Sequence, residues 1–162
     1  MKQKFIYRAI LFMLLLVAFT QVIQAGASKF FIKDKEMPGW ATTESGVLKK
    51  DKDIKKLLGE SYKEYTGYGL KEILYQEIST PDYRMIRIEI FITRDKPGAR
   101  GIFRRFKALE YAAFGNEGSE SPGYLSFYRD NYFVKVVAKR KTMEGNPFLK
   151  QVAKIIDDKI SK

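Results

Sequence analysis

Between Met85 and Thr93 the chain alternates without a break. Ile86, Ile88, Ile90 and Ile92 fall on one side, and Met85, Arg87, Glu89 and Phe91 on the other. A period of two, rich in β-branched residues, predicts a half-buried strand. Thr93-Arg94-Asp95 turns the chain, and Asp95-Lys96-Pro97 has the chemistry of a helix start. A short carboxylate accepts the orphan first-turn N–H groups, and a proline in that turn loses nothing. Ala99, Ile102, Phe103 and Phe106 follow at i, i+3, i+4 and i+7, one apolar helical face. A strand and a helix with matched apolar faces make the nucleus of an α+β domain.

The remaining pattern supplies partners for that nucleus. Lys49 to Tyr65 reads as a helix, with Ile54, Leu57, Leu58, Tyr62 and Tyr65 along one side and lysines on the other. Asp51 or Asp53 is expected to cap it and Gly67 or Gly69 to end it, while Gly59 weakens its middle. Leu70 to Ser79 reads as a strand, joined through Pro81-Asp82 to the alternating one in an antiparallel hairpin. Tyr124 to Tyr128 and Tyr132 to Arg140 form a second hairpin around Arg129-Asp130-Asn131, with Val134, Val136 and Ala138 facing inward. Gly115 to Gly123 is a run of breakers and predicts a loop. Asn146-Pro147 opens a last amphipathic helix carrying Phe148, Val152, Ile155, Ile156 and Ile160. Ser28 to Gly46 shows no sustained period; Phe30 to Ile32 fits a short edge strand or an arm over the core. The fold class expected is α+β: an antiparallel sheet of four or more strands with about three packed helices.

Ahead of this domain, Lys2, Lys4 and Arg8 precede an apolar run from Ala9 to Phe19, and Ala25-Gly26-Ala27 has the small-x-small form of a cleavage site. Basic start, short apolar run and cleavage site together predict a secretory signal peptide over residues 1–27, leaving 28–162 as one exported domain, periplasmic or extracellular. The apolar run is too short for a membrane span, so no stable span is expected after cleavage.

The composition narrows the chemistry. There is no cysteine and no histidine. Disulfides, thiolate nucleophiles, imidazole bases and the commonest metal ligands are all absent, so any catalysis rests on carboxylate, lysine or tyrosine. No cofactor and no metal site is expected. The 30 Lys and Arg, less the three in the leader, leave 27 against 19 Asp and Glu, a net charge of +8. Outside the cytoplasm nucleic acid is a poor match for that surface; an anionic envelope component or an acidic protein suits it better.

Phosphate-loop and calcium-loop motifs are absent. Glu77, Glu89 and Asp130 are the carboxylates that could converge for acid–base work, a pattern of low specificity. Tyrosines are dense in two glycine-flanked stretches, and their flat apolar body with a polar tip suits sugars, peptides or protein partners. The ligand-binding candidates are Trp40, Tyr65, Tyr68, Tyr124 and Tyr128, with Arg104 and Arg105 for anion contact. Trp40, in the turn Met37-Pro38-Gly39-Trp40, also fits a plug over the core. Two readings follow: an exported non-catalytic binding or interaction module, or a carboxylate-based hydrolase acting on envelope glycans. A structural role in the envelope, with no ligand, is a third.

Several short motifs carry a resemblance. Gly39-Trp40, Tyr65-Thr-Gly-Tyr-Gly69-Leu70, Ala99-Arg-Gly101-Ile102-Phe103 and the aromatic run from Gly123 to Val134 resemble an exported bacterial family catalogued as domain of unknown function 6599. The family often has Asn-Gly-Gly-Ala before its tyrosine, where this chain has Gly59-Glu60-Ser61-Tyr62. The resemblance implies export and a single domain, and no activity.

Overall fold

The computed structural model describes residues 29–139 and 147–162. The leader and the Asn146 cap lie outside the described residues. The chain divides into two units, Met1–Phe31 and Ile32–Lys162. In the first, the Lys29 ammonium stands 4.8 Å from the Phe30 ring centre. The second carries all the elements named below.

The sheet has seven strands, all antiparallel: β1 (Ala41–Leu48), β2 (Leu70–Ser79), β3 (Met85–Thr93), β4 (Glu110–Ala112), β5 (Glu117–Ser121), β6 (Tyr124–Arg129) and β7 (Tyr132–Ala138), in the spatial order β1-β2-β3-β7-β6-β5-β4. The two expected hairpins, β2–β3 and β6–β7, meet at the centre, where β3 pairs with β7 from Ile86↔Ala138 to Ile92↔Tyr132. The helices are α1 (Asp51–Leu58), α2 (Tyr62–Gly67), α3 (Lys96–Phe106) and α4 (Pro147–Ile160). This is the α+β class that the periodicity predicts.

The structure departs from the local pattern in four places. The single helix expected from Lys49 to Tyr65 is broken at Gly59, which takes φ +56 and a turn of 3-10 helix before α2 resumes. Neither Asp51 nor Asp53 caps it; Lys50 holds the cap position without a side-chain bond. The stretch lacking a period hides β1, an edge strand with five exposed residues, so no buried face imposes an alternation on it. The breaker run contains β5, whose short side chains are there for contact. A Cβ on Gly118 would come within 2.5 Å of the Ala112 carbonyl oxygen, and Ser119 bonds Ser126 across 3.0 Å of buried space.

Both sides of the alternating strand are used. Phe91 points to the same side as Ile73 and Phe133, its cross-strand neighbours, and packs with Ala99, Ile102 and Phe103 of α3 and with Ile54 and Tyr65. Ile86, Ile88 and Ile90 face the other way, in register with Val134, Val136, Leu74 and Ile78, all buried. Helix α4 covers that second face. Arg129, opposite Tyr132 and hence on the isoleucine side, forms a two-pronged ion pair with Asp157 of α4. Leu149, Val152, Ala153 and Ile156 are the buried side of α4. So α3 packs on the phenylalanine side of β3, not the isoleucine side.

One buried polar residue joins the segment before β1 to the sheet. Gln76 accepts from the Ile32 N–H at 2.7 Å and donates to the Ile32 carbonyl at 2.9 Å and to Thr42 at 2.8 Å. At the edge, β1 carries a bulge between Thr42 and Glu44, with Thr43 as the extra residue donating to the Glu77 carbonyl.

Candidate functional site

Two charged regions stand out on the side of the sheet that carries α3. The first follows from how α3 begins. Asp95 caps it, accepting from the Gly98 N–H at 2.9 Å. Thr93 and Asn131 fix the approach: the Thr93 hydroxyl donates to Asp95 and Asn131 carbonyls, and the Asn131 amide donates to the Thr93 carbonyl. The helix thereby sits with Ala99, Ile102 and Phe103 inward and Lys96, Arg100 and Arg104 outward.

Those three cations share one side of α3, at i, i+4 and i+8, so each step along the axis is about 6 Å. Together with Pro97, Gly101 and Tyr128 they line a groove of about 410 Å³. Tyr128 stands on β6 with its ring 5.5 Å from Phe103, in register with Phe133. Its ring is buried, yet its hydroxyl is neither sealed off nor bonded to a described residue, so it opens on the groove. Among the described residues none of the three cations is paired with a carboxylate. The bare Cα of Gly101 lets the Tyr68 ring pack against α3, where a Cβ would meet it at 2.5 Å.

A neighbouring cleft of about 290 Å³ shares Pro97 and is lined by Thr66, Tyr68, Arg94 and Asp95 among others. Its carboxylate already satisfies the start of α3. An anion is therefore better received on the outer side of the helix than at its first turn.

The second region is a ladder of charges across β2, β3 and β7. Arg87 lies opposite Glu77, and Glu89 opposite Lys135. Arg87 donates to Glu77 at 2.8 Å and to Glu89 at 2.9 Å; Lys135 reaches Glu89 at 2.9 Å and Lys139 reaches Glu77 at 3.1 Å. The guanidinium also lies 5.1 Å from the Tyr75 ring centre. Burial on its own would raise the Glu89 carboxyl, but the Lys135 charge and the hydrogen bonds from Lys135 and Arg87 outweigh it and hold the group below the usual range. Glu77 is held low in the same way by Arg87 and Lys139. Both stay ionised near neutral pH, which suits a structural ladder and leaves no proton for a general acid.

The sequence candidates separate clearly. Arg104 and Tyr128 meet in the groove. Arg105 turns away and pairs with Glu64. Tyr68 lies against Gly101 and lines the adjoining cleft. Tyr65 is a core residue stacked on Phe91 and Phe106, and burial, then the charge of Glu89, pushes its phenol well up. Tyr124 donates to the Phe106 carbonyl at 3.0 Å. Trp40 is 6% exposed and meets Phe148 edge-on, a plug over the core. Glu77 and Glu89 reach one sheet face, bridged by Arg87, while Asp130 stands apart in the β6–β7 turn. Lys96 and Arg100 were not among the candidates, although their four-residue spacing to Arg104 is plain in Lys96-Pro-Gly-Ala-Arg100-Gly-Ile-Phe-Arg104.

Compared with family models, curated proteins and solved structures, the chain matches none of them. Among the described residues no helix is long and apolar enough to cross a membrane, and no three carboxylates gather where they could hold a metal ion.

Proposed function

We propose that this protein is an exported, non-catalytic binding module whose partner is an anionic envelope component, held along the outer side of α3. The observation that carries the reading is the row of three cations, unpaired among the described residues, facing one groove with an uncharged floor. Elsewhere in the described structure Arg87, Arg105, Arg129 and Lys135 each have a carboxylate. Cations that the fold neutralises hold the fold together; cations left without partners in a concave place suit an outside charge. The resemblance to the exported family and the leader read in residues 1–27 support the same location. The carboxylate hydrolase is the weaker reading, because Glu77 and Glu89 are each engaged by two cations and neither is held protonated.

The test is co-sedimentation of the purified protein with an envelope fraction rich in anionic polymer, at low salt. Lys96→Glu, Arg100→Glu and Arg104→Glu combined should abolish retention, while Arg105→Glu should leave it near the wild-type level. Full retention by the triple variant would reject the reading.

A further inference from the structure

The spacing and chemistry of the groove say more about the ligand than its sign. We infer that it takes a linear phosphodiester polymer in extended form, one with a short polyol between phosphates, rather than a single small anion. This rests on the reading of the α3 groove as the anion-contacting surface. Cation spacing, hydrogen-bonding character and the groove floor each point to it.

Lys96, Arg100 and Arg104 repeat every four residues, so the row spans about 12 Å in two steps of about 6 Å. A point anion is met by charges that converge, whereas these lie in line along a helix. Successive phosphates of an extended polyol phosphodiester chain, about six bonds apart, fall at a comparable distance.

The polar side chains lining the groove are one ammonium, two guanidinium groups and one phenol. Apart from the phenol oxygen they only donate hydrogen bonds. A polyol phosphodiester offers acceptor oxygens at every repeat and matches that lining, while its few hydroxyls can donate to the phenol oxygen or to water. An extended acidic peptide would bring a backbone N–H at every residue, and α3 has spent its own carbonyls within the helix.

Along the floor, Gly101 and Pro97 put no polar group between the cations, and Tyr128 contributes a single hydroxyl beneath them. A repeating uncharged linker crosses there without meeting a charge, and its hydroxyls can turn to solvent. The lone, deeply set ring gives no platform on which successive bases could stack, which separates this ligand from single-stranded nucleic acid.

The experiment measures binding of fluorescently labelled poly(glycerol phosphate) of one, three, six and twelve units to the purified protein by anisotropy. Affinity should rise steeply up to about three phosphates and then flatten, with a slope of log K against log salt of about −2 for three contacts. Lys96→Ala, Arg100→Ala and Arg104→Ala should each weaken binding roughly tenfold and reduce that slope by about 0.7. All three positions are exposed, so the variants keep the fold, and Arg105→Ala, paired with Glu64, should change nothing. Equal affinity for inorganic phosphate and for the twelve-unit polymer would overturn the polymer assignment while leaving the groove as an anion site. Tighter binding of a poly-glutamate peptide or an oligonucleotide of equal charge would overturn the polyol phosphodiester chemistry. Undiminished polymer binding by Lys96→Glu, Arg100→Glu and Arg104→Glu combined would remove the groove itself, and both readings with it.

Discussion

Glu89 stands between Lys135 and Arg87, and Arg87 in turn holds Glu77, so one guanidinium serves two carboxylates. The electrostatic sign is definite. The Glu89 carboxyl titrates below its ordinary value of 4.5 in the folded chain, so folding favours the ionised form. Its contribution to stability is therefore complete above 4.5 and disappears as pH falls through the folded-state value. Glu89→Gln should lower stability at pH 7 by about 1–3 kcal/mol, since Lys135 and Arg87 lose the negative charge between them and one of its two acceptor oxygens. The gap to the wild type should close as pH drops below 4.5. Urea unfolding midpoints at about pH 7 and about pH 3 measure both parts, and a gap as wide in acid as at neutral pH contradicts the account. Removing the Glu77 carboxylate as well should cost more than the sum of the two effects, because Arg87 then keeps neither of its two carboxylate partners.

At the scale of elements, the fold is held by pins between units that local sequence cannot connect. Asp157 of α4 accepts from Arg129 at the end of β6 and from the Gly115 N–H at 3.1 Å. One carboxylate thus ties the last helix to a hairpin and to the turn before β5. Asp157→Asn leaves the Arg129 charge half-buried without its counterion and should cost about 2 kcal/mol or more, read from the urea midpoint. Arg129→Gln combined with Asp157→Asn should recover part of that loss, since no lone charge then remains. Strand β3 and helices α3 and α4 were legible because burial imposes a period on them. Strands β1 and β5 were not, for opposite reasons. β1 is mostly exposed, and β5 fits into the sheet through Gly118 and Ser119, residues that resemble a turn when read alone. The break at Gly59 was legible as a weakness but not as a stop, because a glycine tolerates both the helical and the positive-φ backbone.

For the molecule as a whole, the pattern of alternation identified the sheet and its two hairpins, but not their order in space. Which strands meet at the centre depends on β3 pairing with β7, a contact spanning 46 residues between Glu89 and Lys135. The groove was half legible for the same reason. Arg104 and Tyr128 were recognisable as types, but their meeting requires α3 to lie over β6. Lys96 and Arg100 needed only the helical period, applied to the polar side of α3 instead of the apolar one.

The extra residue in β1 has a consequence for life at high concentration. A strand at the rim of a sheet is an open template, and a second molecule can extend it. Thr43 spoils the template by throwing the outer strand out of step for one position. Deleting Thr43 should leave the monomer folded but give it a smooth rim, and chains should then join rim to rim. Size-exclusion profiles over a concentration series would reveal such growth, which the parent protein should not show.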